Sequence, residues 1–196
     1  ATYNVHQLFD DHCDSGDCGT WDFEKKRSQG GFEERVARVA DSIRQIDADI
    51  VLLQEVENQR CLDALYEQLS DRFSVARIGE IGAPASIDVA IMAKGSLIEV
   101  RTHRSKDIQL PQGGFTTFSR ELLELHLDVS GWRVVVFDGH FKSKANDDPD
   151  RRLAEAMATQ IIVRDTALEF PDALVVFGGD LNDTPGSFPL QAMEED

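Results

Sequence analysis

VVFGGDLNDTP, Val175 to Pro185, runs out of an apolar strand through two glycines into Asp180, Asn182 and Asp183. Carboxylates and amides at the open end of a buried strand are costly to desolvate unless a cation or a hydrogen-bond partner meets them there. The stretch is therefore either a polar turn with Asx-type hydrogen bonds or a place that receives a metal ion or a reacting phosphate. Gly178 and Gly179 would let the backbone turn and approach closely.

Outward from this stretch, three more strand-like segments carry polar groups where burial is expected. Asn4 lies inside TYNV, Glu55 closes DIVLLQE, and His140 ends VVVFDGH ahead of Lys142 and Lys144. A sheet would bring these ends to one edge. Carboxylate, imidazole, amide and lysine together suit hydrolysis of a phosphate ester. A hard divalent cation wants oxygen ligands such as Glu55 and Asp180. A water must be oriented or deprotonated, and charge spreading over the phosphoryl oxygens needs donors.

The remaining pattern alternates helices and strands. Ala1–Phe9 reads as a strand, and an acidic, Gly-rich loop follows to Gly31. FEERVARVADSIRQI sets Phe32, Val36, Val39, Ala40, Ile43 and Ile46 on one helical face. DIVLLQEV is a continuous apolar run, as in a strand covered on both sides. Leu62, Leu65, Tyr66 and Leu69 mark a second helix. Short strands are expected at Phe73–Ile78, Ile87–Ala93 and Leu97–Arg104. Glu121–Val129 alternates Leu123, Leu125, Leu127 and Val129 with Glu124, His126 and Asp128, which predicts a half-buried strand. WRVVVFDGHF is a buried strand. Arg151–Phe170 is a long helix carrying Leu153, Met157, Ile161 and Leu168, and Ala173–Phe177 is the last clear strand. Strands mixed with widely spaced helices predict α/β or α+β layers.

The chain has 196 residues, 41% of them hydrophobic, enough for one core and a single domain spanning 1–196. A net charge of -16 repels nucleic acid at long range, so a polyanionic substrate must be met locally by basic side chains or divalent cations. No apolar run is long enough to span a bilayer, and the acidic balance argues against stable membrane association. Of the three cysteines, Cys13 and Cys18 sit in the polar loop DDHCDSGDCGTWD, either as free thiols or as a small disulfide in a secreted or periplasmic protein. With His12 they lack a fourth zinc ligand.

Each residue also has a plain structural reading. Glu55 and Asn58 resemble a helix-start signal, Asp180–Asp183 a turn, His140 a satisfied core histidine, and Lys142 and Lys144 a solvated face. His126 has no evident match, and His6, His12 and His103 are given no catalytic part. The joint occurrence of Asn4, Glu55, His140, Asp180 and Asn182, in order, favours chemistry.

The segments TYNVHQLFD, DIVLLQEVEN, IDVAIMAK, FSRELL, GHFKSK and GGDLNDTP resemble, in order, those of the endonuclease/exonuclease/phosphatase superfamily. The first strand reads much like that of bacterial predicted extracellular nucleases. The resemblance implies a four-layered α/β/β/α sandwich of two mixed sheets and a metal-dependent phosphodiester hydrolase acting on DNA or RNA. A lipid or inositol-phosphate esterase, or a degenerate metal- or phosphate-binding module, is the alternative. It implies Mg²⁺ (or Mn²⁺ or Ca²⁺) on Glu55, with Asn4 and Asp180 beside it. Asp180 would orient or deprotonate the attacking water, Asn182 would hold that water or a phosphoryl oxygen, and His140 would donate to the phosphate or act as acid/base. Arg120, Lys142 and Lys144 would bind phosphate oxygens, and Asp88 would fix the tautomer of His140. The family pattern ends in a serine–aspartate–histidine element, and no histidine follows His140 here. The chain is thus expected to be C-terminally incomplete, with no obligate protein partner evident and a strand-completing dimer as one way to supply the rest.

Overall fold

Two mixed sheets lie face to face with helices on both outer sides, in a computed structural model that describes residues 1–194. From the N-terminus, strand β1 (Thr2–Leu8) leads through a long loop to helix α1 (Gln29–Ile46), then β2 (Ile50–Val56) and α2 (Gln59–Leu69). Strands β3 (Val75–Gly79), β4 (Asp88–Ala93) and β5 (Ser96–Thr102) follow. A small hairpin, β6 (Ile108–Gln109) and β7 (Phe115–Thr116), precedes β8 (Leu123–Val129) and β9 (Trp132–His140). Helix α3 (Pro149–Glu169), β10 (Leu174–Asp180) and α4 (Phe188–Glu194) complete the described chain.

The first sheet runs β1-β2-β4-β3 and the second β10-β9-β8-β5, each of four strands. In each, the strand that comes off a helical crossover is parallel to its neighbour (β1 with β2, β9 with β10) and the remaining pairs are antiparallel. Leu52, Val89 and Ile91 of one sheet pack on Leu123, Leu125, Val134 and Val136 of the other. Outside the first sheet, Phe32, Val36, Val39 and Ile43 of α1 and Leu62, Leu65 and Leu69 of α2 cover Val5, Val51 and Leu53. Outside the second, α3 covers Val135 and Phe137. These are the four layers expected from the sequence.

The helix boundaries follow local chemistry. Ser28 accepts from the Gly31 N–H at the start of α1, Asn58 from Cys61 at the start of α2, and Asp148 from Arg151 ahead of Pro149 in α3. Asn58 thus does take the helix-start part that its position suggests.

Three sequence expectations are corrected. Strand β8 is buried on both faces through Leu127, because Glu124 and His126 are hydrogen-bonded to each other inside. Glu124 accepts from His126 Nε2 at 2.6 Å and pairs with His103 Nε2 at 2.7 Å, so His126 is matched after all. The apolar stripe of α3 is not its inner face: Met157, Ile161 and Leu168 are exposed, whereas Arg152, Glu155, Thr159 and Ile162 are buried. In α1, Ile46 is likewise exposed at the helix end. The cysteine alternative resolves to a disulfide between Cys13 and Cys18, with Cys61 a buried free thiol. Among the described residues, no helix is long and apolar enough to cross a membrane.

Candidate active site

Strand register brings the polar strand ends together. In the parallel pair β9·β10, His140 lies directly opposite Asp180, and Gly139 opposite Gly179. A side chain at Gly179 would meet the Gly139 carbonyl oxygen at 2.0 Å, and at Gly178 it would meet Leu52 at 2.6 Å. Close approach of the neighbouring strand's backbone therefore demands the second glycine of the GGD stretch, while at the first the tip of Leu52 across the sandwich would have to shift.

Asn4 of β1 links the two sheets at their edge. Its Nδ2 donates to Glu55 Oε1 at 3.0 Å and to Asp180 Oδ2 at 2.9 Å, while its Oδ1 accepts from the His6 N–H at 2.9 Å. Glu55 Oε2 accepts from the Gln7 N–H at 2.8 Å. The backbone here departs from regular strand: β1 shifts register between Asn4 and Leu8, and β2 shifts between Gln54 and Val56. Glu55 itself has φ 68°, in the left-handed region, with His6 and Gln7 at 54° and 56°. Such irregularities re-aim a side chain at a cost in local strain. Here they let Gln54 turn inward, donating to Asp138 Oδ1 between the sheets at 2.7 Å, while Glu55 turns to Asn4.

Asn182, with φ 52°, closes a turn in which its N–H donates to Asp180 Oδ1 at 2.9 Å and its Nδ2 to the Phe141 carbonyl at 3.0 Å. His140 is only 4% exposed. Burial, reinforced by the nearby Arg120 charge and opposed by Asp180, pushes it down to about 3, so the imidazole is neutral at ordinary pH. Its Nδ1 has no hydrogen-bond partner. Arg120 is half-buried among Glu155, Glu55, Asp88 and Asp180, whose charges offset the burial that lowers its pKa.

Other expected residues are placed differently. Asp88 does not orient His140: its side chain accepts from Ser86 Oγ at 2.8 Å, its other oxygen has no partner, and burial raises it to about 6. Lys142 Nζ is turned to the Ser143 and Ala145 carbonyls at 3.2 and 2.8 Å, and Lys144 Nζ pairs with Asp183 Oδ1 at 3.0 Å. Both ammonium groups serve the loop that follows β9. Asn4 presents its nitrogen, not its oxygen, to the two carboxylates, so it holds Glu55 and Asp180 together instead of offering an oxygen of its own.

Two neighbours escaped the sequence reading. Glu155 accepts from the Ser119 and Lys142 N–H groups at 2.7 and 2.6 Å, pinning the loops that carry Arg120 and follow His140. The exposed His6 imidazole lies 3.9 Å from Glu55 Oε2. A charged residue at an inner helix position is the only sequence signal for the first, and for the second, proximity to Asn4 along β1.

The donor set fits a hard divalent cation: two carboxylates brought to one amide nitrogen, with oxygen as the only ligand element. A model of the Endonuclease/Exonuclease/phosphatase family matches residues 1–194. Among solved structures, TDP2 from C. elegans is 26% identical, with 78% of this chain covering 44% of that one at a TM-score of 0.59. Sphingomyelinase C from Streptomyces griseocarneus is 20% identical, covering 82% and 61% at 0.64. A β-hairpin deletion mutant of beta toxin from Staphylococcus aureus is 18% identical, covering 98% and 69% at 0.68. The last two likenesses are of fold alone. The chain spans about half the length of the TDP2 structures it matches. No curated protein matches it by sequence.

Proposed function

The chain belongs to the endonuclease/exonuclease/phosphatase family, and from that premise we propose that it is a Mg²⁺-dependent phosphodiester hydrolase whose substrate is nucleic acid. The observation that carries the reading is the Asn4 amide bridging Glu55 and Asp180 beside a buried, neutral His140. Glu55 and Asp180 would hold the cation, which when bound polarises a phosphoryl oxygen and acidifies water. Asp180, fixed through Oδ1 by the Asn182 N–H, is the group to take the proton of the attacking water. A neutral His140 keeps an N–H to donate to a phosphoryl oxygen without adding charge next to Asp180. Arg120 supplies the positive charge for the oxygens on which negative charge develops. Glu155 positions both through the loops it ties.

Nucleic acid is favoured over anionic lipid because a chain of net charge -16 docks poorly on an anionic membrane surface, whereas a site with its own cation and Arg120 receives one phosphodiester locally. The test is cleavage of plasmid DNA, RNA, bis-p-nitrophenyl phosphate and sphingomyelin vesicles with Mg²⁺ or with EDTA. Polynucleotide cleavage that needs the metal and falls about a hundredfold or more in Glu55→Gln and Asp180→Asn is expected. Turnover of sphingomyelin alone would move the assignment to lipid. Metal binding with no turnover of any substrate would make the domain a binding module.

A further inference from the structure

The inner faces of the two sheets change character toward the site. Side chains two apart on a strand share a face, so Val134 and Val136 of β9 share theirs with Asp138 and His140. By the same spacing Thr2 lies behind Asn4 on β1, Leu52 behind Gln54 on β2, and Gly178 behind Asp180 on β10. Leu52, Val134 and Val136 belong to the apolar core between the sheets. Asn4, Glu55, His140 and Asp180 form the polar edge. Between the two lies a layer of Thr2, Gln54, Asp138 and Gly178, in which Gln54 and Asp138 are 1% and 0% exposed.

Gln54 spans the sheets in this layer. Its Nε2 donates to Asp138 Oδ1 at 2.7 Å, and its Oε1 accepts from the exposed Thr2 Oγ1 at 3.2 Å. Gln54 is opposite Asn4 in the β1·β2 register, and Asp138 is opposite Gly178 in β9·β10. The bond therefore joins the residue before Glu55 to the residue two before His140, and with them the two halves of the site, which belong to different sheets. For stability alone a carboxyl is a poor choice here. Burial pushes Asp138 well above the usual carboxylate range, so it is the neutral acid, and its Oδ2 has no hydrogen-bond partner. Apolar side chains of similar volume would fill such a layer without that cost. What they would not supply is direction. Apolar contact tolerates a slide of one sheet over the other, whereas a hydrogen bond fixes a distance and an angle. Catalysis is sensitive at that scale, since ~1 Å of misplacement can cost about a hundredfold in rate.

On the reading above, in which Glu55 and Asp180 hold a cation beside His140, we propose that Gln54 and Asp138 are positioning residues whose bond sets the offset of the two sheets and so the approach of Glu55 to Asp180 and His140. Both are enclosed and act through the strands they belong to. The test separates position from stability. Gln54→Leu/Asp138→Leu removes both partners together and leaves no buried donor unpaired. It should unfold at a Tm no lower than that of the unaltered protein. Its kcat on bis-p-nitrophenyl phosphate with Mg²⁺ should nevertheless fall about a hundredfold with KM little changed, and titration calorimetry should show Mg²⁺ bound at least about tenfold more weakly. Asp138→Asn, whose amide oxygen can still accept from Gln54, should keep both kcat and its pH profile. A double variant with unchanged kcat and metal affinity would overturn the inference and leave the proposed function standing. So would a loss of kcat matched by an equal loss of folded protein, which would make the pair a stabilising contact only. Equal losses in Asp138→Asn and the double variant would overturn it too, because the bond would then not be what matters. Should the double variant not fold, Gln54→Met, close in length and unable to make either bond, decides alone, and an unchanged kcat there overturns it. An unaltered protein with neither turnover nor metal binding would remove the proposed function, and this inference with it.

Discussion

Burial on an edge shared with Asp180 governs what His140 can do. Burial and Arg120 depress it to about 3, against ~6.5 for an unburied imidazole. A histidine whose folded pKa lies below its unfolded one contributes stability that is full above ~6.5 and lost as pH falls toward the folded value, because the unfolded chain takes up the proton first. Urea unfolding between about pH 7 and about pH 4 should therefore cost the unaltered protein more stability than His140→Gln. Equal losses would show that the imidazole does not titrate this way. At this scale the sequence was informative where a polar residue interrupts an apolar strand: Asn4, Glu55, His140 and Asp180 all stand out for that reason, and register then joins them. It was silent where a residue's part depends on what its long side chain reaches. Lys142 and Lys144 alternate as solvent-facing residues would while the family resemblance gives them phosphate oxygens, and their ammonium groups end on loop carbonyls and Asp183. Asp88 is spent on Ser86.

Elements were legible where burial is apolar. Continuous runs such as DIVLLQEV and WRVVVFDGHF form covered central strands, and α1 buries the stripe its period marks up to Ile43. They were misread where burial is polar. Glu124 and His126 satisfy one another inside β8, and α3 turns Arg152 and Glu155 inward to tie loops around the site while Met157 and Ile161 face out. Hydropathy period sees neither, because paired charges carry no apolar signal. The glycine pair of β10 yields a sharper test. At Gly179, with φ 145°, a methyl group would sit 2.0 Å from the Gly139 carbonyl, and backbone cannot yield as a flexible side chain can. Gly179→Ala should cost at or above the ~3 kcal/mol upper end of ordinary substitutions, read from urea midpoints. Gly30→Ala, in α1 with open space around it, should be neutral or stabilising by up to ~1 kcal/mol. A Gly179→Ala protein as stable as the Gly30→Ala protein would refute close packing as the reason for the second glycine.

Across the whole molecule, the two sheets are closed by α1, α2 and α3 on their outer faces, but β1 and β10 are both end strands on the side where the site lies. On β10, Leu174 and Val176 are 61% and 40% exposed, on the strand face shared with Gly178, where an added side chain would meet Leu52 of the opposite sheet. An end strand with free backbone groups and exposed apolar side chains invites another strand. The site has one buried imidazole, His140, and the exposed His6, while each well-placed acid/base group supplies about a hundred- to ten-thousand-fold in rate. We expect His140→Ala to lower phosphodiester turnover by about that factor and His6→Ala to leave it unchanged. Assay of both variants beside the unaltered chain at matched metal and protein concentration decides it. Full activity that survives His6→Ala would show that His140 and Asp180 suffice. Full activity lost in His6→Ala would place the second imidazole on β1. A specific activity that climbs with protein concentration would instead mean that a second copy completes the β10 edge.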